Sequence, residues 1–126
     1  MYNTDSIYNN KHLSLEQLIS NVTALDALLD SGYKVSRGPS GWHEYDDRVF
    51  DGINAALTLL GHDVDYLEHR DSLSAESISS ANQEQLSTWF TLMTRGEHWN
   101  EGYVARAIEA GELQAITRRL VALLAG

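Results

Sequence analysis

The chain has 126 residues, is 43% hydrophobic, and carries three tryptophans, no cysteine and a formal charge of -9. That length supports one hydrophobic core and not two. No apolar run reaches the roughly 18 residues that a membrane span requires, and without cysteine there is neither a disulfide framework nor a thiolate zinc site. The expected setting is cytoplasmic. The opening MYNTDSIYNNKH lacks the basic stretch and apolar run of a secretory signal. Residues 1–12 therefore read as a polar arm and 13–126 as a single helical domain.

Ser14 followed by Gln17 has the spacing of a capping box, and Leu15, Leu18, Ile19, Val22, Leu25 and Leu29 recur at helical period until Gly32. YKVSRGPSGW holds the only proline and reads as a loop, with an extended piece near Tyr33–Val35. From Tyr45 through Val49, Phe50, Ile53, Ala56, Leu57 and Leu60 the apolar residues again share one face, and Gly61 is placed to end that helix. Residues 62–82 are polar and serine-rich, which predicts short helical turns. Asn82 with Gln85 repeats the capping-box pattern before Leu86, Trp89, Phe90 and Met93, and Arg95-Gly96 is expected to break the run. Asn100 is expected to cap a short helix carrying Tyr103, Val104, Ala107 and Ile108, closed by Gly111. A last helix carries Leu113, Ile116, Leu120, Leu123 and Leu124. No stretch alternates at period two for long enough to argue for a sheet. The expected fold is all-α, an irregular bundle of about five helices.

The charge is unevenly placed. Residues 1–94 hold five basic side chains (Lys11, Lys34, Arg37, Arg48, Arg70) against fourteen acidic ones, whereas residues 95–126 hold four of each. A phosphate backbone is held by clustered cations, so direct nucleic-acid binding is not expected. A protein partner with a basic surface is favoured instead, including one that normally holds nucleic acid. Glu44, Asp46, Asp47 and Asp51, beside His43, form the densest negative stripe. Carboxylates at a helix N-terminus are also stabilised by the helix dipole, so this group needs no catalytic role. Asp63, Asp65 and Glu68, flanked by His62 and His69, add further negative charge. Asp65 and His69 are four residues apart, a spacing that could ligate a metal, but HExxH is absent and a solvated polar turn is expected.

RGEHWNEG, from Arg95 to Gly102, is the densest run of unusual side chains. Its acid–base reading would use Arg95, Glu97, His98 and Trp99 around a pocket. Its structural reading puts Trp99 in the core, pairs Arg95 with Glu97, and uses Gly96 and Gly102 for tight backbone geometry. Neither GxSxG nor GxxxxGK[ST] occurs, so no catalytic residue, cofactor or metal is expected.

The stretch WFTLMTRGEHWNEGYVARAIEAGELQAITRRL resembles the end of a small bacterial and phage family, domain of unknown function 6508. The family pattern is approximately RGERFxDG, then a short helix, a glycine, and a leucine-rich helix ending in RL. Arg95, Gly96, Glu97 and Gly102 match, while His98, Trp99 and Glu101 stand where the pattern has Arg, Phe and Asp. GWHEYDDRVFDGINAAL corresponds more loosely to an upstream helix. The resemblance implies a small helical domain in a bacterial or mobile-element setting, and no reaction. The expected function is therefore a non-enzymatic acidic protein-binding domain, such as a nucleic-acid-mimicking, anti-CRISPR-like inhibitor of a bacterial defence complex. The alternatives are a small enzyme or ligand-binding domain at the Arg95–Trp99 pocket, and a homodimer formed through the last helix.

Overall fold

The computed structural model describes residues 12–126; apart from His12, the expected polar arm lies outside the described residues. Among the described residues the regular structure is helical apart from one hairpin of two two-residue strands. Helix α1 is Leu15–Asp30, and its start is fixed as the spacing predicts. The Ser14 hydroxyl accepts from the Gln17 amide, while the Gln17 side chain accepts from the Ser14 amide. Its buried stripe is Leu18, Val22, Leu25, Leu28 and Leu29.

The extended piece falls just after Tyr33–Val35. Strand β1 (Ser36–Arg37) pairs antiparallel with β2 (His43–Glu44), with Ser36 opposite Glu44 and Arg37 opposite His43. Helix α2 is Asp47–Leu60, two residues later than its apolar pattern begins, because the Asp46 carboxylate accepts from the Arg48 amide and caps it there. Gly61 ends α2 at φ 86, in the left-handed region that glycine alone enters without strain. Two short pieces follow, α3 (Tyr66–Arg70) and a 3-10 segment (Ala75–Ser80) that buries Ile78.

Helix α4 is Gln83–Trp99, opened by the expected Asn82–Gln85 box. It does not break at Arg95-Gly96. The helix runs on to Trp99, with Gly96 inside it, because a side chain there would strike the Tyr103 ring. A Cβ built on Gly96 would lie 2.5 Å from that ring. Nor does Asn100 cap the next helix. It ends α4, its amide donating to the Gly96 carbonyl, and Gly102 occupies the cap position of α5 (Tyr103–Glu109) at φ 88. Helix α6 is Glu112–Ala125.

The core forms where α1 and α2 pack together, α4 backs α2, and α6 closes over α1 and the 3-10 segment. Leu25 of α1 seats directly on Gly52 of α2, where a Cβ would come within 2.5 Å of it. Phe90, Ile53, Leu57, Leu86, Leu113, Ile116 and Leu120 fill the centre. Each buried side chain of this size contributes roughly 1.5–3 kcal/mol. α5 and the hairpin sit at one end of this core, joined through the Arg95–Gly102 segment.

Candidate functional site

Glu97 is the hub of that end. Helix α5 begins without a side-chain cap from its own cap residue, since that residue is glycine. The Glu97 carboxylate, reaching from α4, accepts instead from the amides of Gly102 at 3.0 Å and Val104 at 2.9 Å. It also accepts from the Tyr45 hydroxyl at 3.0 Å, and that hydroxyl in turn accepts from the Ala105 amide at 3.0 Å. One carboxylate and one phenol thus satisfy three part-buried main-chain donors at the start of α5 and lend it negative charge where its dipole is positive. Burial and the bond to Glu97 push the Tyr45 phenol above its ordinary range.

The neighbouring Glu101 ties the hairpin to the same junction. Its carboxylate accepts from the His43 amide at 2.6 Å and from His43 Nδ1 at 2.8 Å. The bond from the His43 amide, then that from its ring and the nearby Arg37 charge, hold the Glu101 carboxyl below the usual range. Two tryptophans flank this tie. Trp42 precedes His43 and is 62% exposed; Trp99 lies two residues before Glu101 and is 74% exposed, with the His98 ring packed edge-on to it at 5.0 Å. Trp99 is therefore not a core residue. Arg95 and Glu97 are not paired either, because Glu97 turns inward to Tyr45 and α5 while Arg95 and His98 face solvent.

The acidic residues divide by what holds them. The Asp46 carboxylate takes both Arg48 Nε and Arg48 Nη2, at 2.9 and 2.8 Å, and the paired guanidinium lowers its pKa to about 2. Asp63 is likewise engaged. It accepts from the Thr88 hydroxyl, the Asp65 amide and His69 Nδ1, the last at 2.7 Å. The Thr88 bond, then the His69 bond, draw its carboxyl down, and Asp63 raises the His69 imidazole. His69 therefore pairs with Asp63 and not with Asp65. Among the described residues no three His, Asp or Glu side chains are grouped to hold a metal ion.

Asp47, Asp51, Asp65 and Glu68 are exposed and, like Glu44 at the hairpin, make no ion pair among the described residues. Asp47 and Asp51 are one turn apart on α2. Partial shielding of the Asp51 carboxyl raises its pKa, and the charges of Asp47 and Asp46 raise it further. Sequence reasoning missed Tyr45, His43, Glu101 and Trp42. Tyr45 reads as one more apolar residue of α2, and nothing local links His43 to a glutamate 58 residues away.

Among the described residues, surface grooves open beside other elements, and one of them reaches the junction at His43 and Ala105. One of about 940 Å³ runs between α3 and the start of α4, past His62, Asp63, His69 and Thr88. Another, of about 410 Å³, lies between the ends of α1 and α6. A third, of about 550 Å³, separates β1 from α5. None is lined by Arg95, Glu97, His98 or Trp99. Among the described residues no helix is long and apolar enough to cross a membrane.

Comparison with known proteins places the junction in a family context. No curated protein and no solved structure matches the chain. Residues 64–125, from just before α3 through α6, match the model of a family of unknown function, DUF6508, and this is the family that the chain resembles.

Proposed function

We propose that the chain is a non-enzymatic binding domain that presents the start of α2 to a basic surface of a protein partner. The observation that carries this reading is the Asp47–Asp51 pair: two exposed carboxylates on one helical stripe, mutually repelling, with no cation of the described chain at ion-pair distance. A partner's lysines or arginines would relieve that repulsion and speed encounter. Glu44 extends the stripe toward the hairpin, and Trp42 and Trp99 supply the exposed aromatic anchors that interfaces favour. A surface of this sign fits a groove that otherwise holds nucleic acid, the target expected of an inhibitor of a bacterial defence complex.

The test is affinity capture from bacterial lysate at low and at high salt, followed by titration of the captured protein against wild type and Asp47→Lys/Asp51→Lys. The expected outcome is salt-sensitive binding that the double reversal weakens at least about tenfold. A partner whose affinity ignores both salt and charge reversal would overturn the proposal.

A further inference from the structure

Helix α3 is held in place without belonging to the core. It buries no residue, yet the segment leading into it is fixed by hydroxyls of α4. Ser87 donates to the Gly61 carbonyl, Thr88 donates to the Asp63 carboxylate, and Thr91 accepts from the Asp63 amide. His69 then closes onto the same carboxylate at 2.7 Å. The apolar side chains of this segment point away from all of that. Val64 is 87% exposed and Leu67 is 54% exposed. A single exposed apolar residue is ordinary, but two on one face of a helix that buries nothing form a presented surface.

The two sides of α3 differ in character. His62, Asp63, His69, Ser72 and Leu73 line the groove of about 940 Å³ that faces α4. Val64, Leu67, Glu68 and Asp71 do not line it, and they fall at i, i+3, i+4 and i+7, the spacing of one helical stripe. Asp65 stands beside them. The cations of the segment are engaged or face the groove: His69 pairs with Asp63, Arg70 with Asp71 at 3.6 Å, and His62 is on the groove side. Asp65 and Glu68 make no ion pair among the described residues. The outer stripe therefore has an apolar centre and an acidic border that the chain itself leaves unneutralised.

We infer that the outer face of α3 docks a basic amphipathic helix of another protein. Its apolar row covers Val64 and Leu67, and its lysines or arginines meet Glu68 and Asp65, as charged flanks do in paired helices. Charge selects this occupant. A nucleic acid would bring like charge to the face, and so would a second copy of the chain, whose formal charge is -9. The face follows the C-terminal end of α2, whereas Asp47 and Asp51 stand at its beginning, about 20 Å away by helical rise. It is thus a surface separate from the α2 stripe and does not rest on the reading above.

The test is an amide NMR titration of the full chain with an acetylated and amidated peptide, two repeats of Leu-Lys-Lys-Leu-Ala-Lys-Lys. A control peptide has serine for every leucine and the same charge. The expected result is that the parent shifts the amides of residues 64–71, while the serine control binds at least tenfold more weakly. Val64→Ser/Leu67→Ser, checked for an unchanged spectrum elsewhere, should also weaken the parent at least tenfold. Asp65→Lys/Glu68→Lys should weaken it severalfold and reduce its salt dependence. Asp47→Lys/Asp51→Lys should leave the shifts at residues 64–71 in place, which separates this face from the α2 stripe. Shifts confined to other elements, or a Val64→Ser/Leu67→Ser variant that binds like wild type, would overturn the proposal. So would self-association of the wild-type chain in sedimentation that Val64→Ser/Leu67→Ser abolishes, since the face would then belong to a second copy.

Discussion

Glu97 serves two elements with one carboxylate, so its replacement should cost more than an ordinary cap. In Glu97→Ala the Tyr45 hydroxyl and the Gly102 and Val104 amides lose their acceptor together. The expected loss is about 2–4 kcal/mol, from a missing cap plus part-buried groups left unsatisfied. Glu97→Gln keeps an acceptor oxygen and should lose less than half as much; denaturant melts of the two variants decide this. Tyr45 adds a pH dependence. Its folded pKa is raised, so the stabilisation it provides is fully present below the ordinary phenol value of 10.0 and is lost as pH rises beyond it. Tyr45→Phe should flatten the alkaline limb of a stability-versus-pH curve; an unchanged limb would place the effect elsewhere. At Gly96 the collision with Tyr103 should outweigh the gain in helix propensity of about 1 kcal/mol, so Gly96→Ala should be destabilising by about 1–2 kcal/mol. The penalty should largely vanish in a Tyr103→Ala background, which a double-mutant cycle measures.

Among the helices of the described residues, α3 is the one that buries no residue, and its attachment to α4 includes the Asp63 carboxylate, which accepts from the Thr88 hydroxyl and His69 Nδ1. The two titrations bound a window. The raised His69 pKa gives stabilisation that is present below its ordinary 6.5 and is lost as pH rises through the folded value. The lowered Asp63 pKa gives stabilisation that is present above its ordinary 3.8 and is lost as pH falls. Hydrogen exchange at the α3 amides should therefore be slowest, after correction for intrinsic rates, between about pH 4 and 6.5. His69→Ala should speed it there without changing the global melting temperature by more than a degree or two; a large global loss would mean that α3 belongs to the cooperative core. The α1–α2 pair behaves oppositely, since Leu25 on Gly52 lies at the centre of the packing. Gly52→Ala forces those helices apart.

For the whole molecule, the formal charge of -9 works against compactness, and the carboxylates at the start of α2 concentrate that strain. Added salt should raise the melting temperature by screening, and Asp51→Asn should raise it at low salt while weakening the proposed partner. A variant both less stable and still fully competent to bind would contradict the role given to that stripe.

The sequence by itself determined what depends on near neighbours. The Ser14–Gln17 and Asn82–Gln85 boxes, the apolar stripes of α1, α2, α4 and α6, the Gly61 stop and the RGEHWNEG likeness are all local, because helix period and caps are set within three or four residues. Only the tertiary structure decided where the unusual side chains go. Gly96 reads as a helix breaker until Tyr103 is seen against it, and Trp99 reads as core until it is found 74% exposed, with only the His98 ring edge-on to it. Glu97 reads as a partner for Arg95 until Tyr45, 52 residues upstream, and the open end of α5 claim its oxygens. A cap or ion pair spanning half the chain leaves no periodic trace in sequence, since its partners are brought together by packing alone.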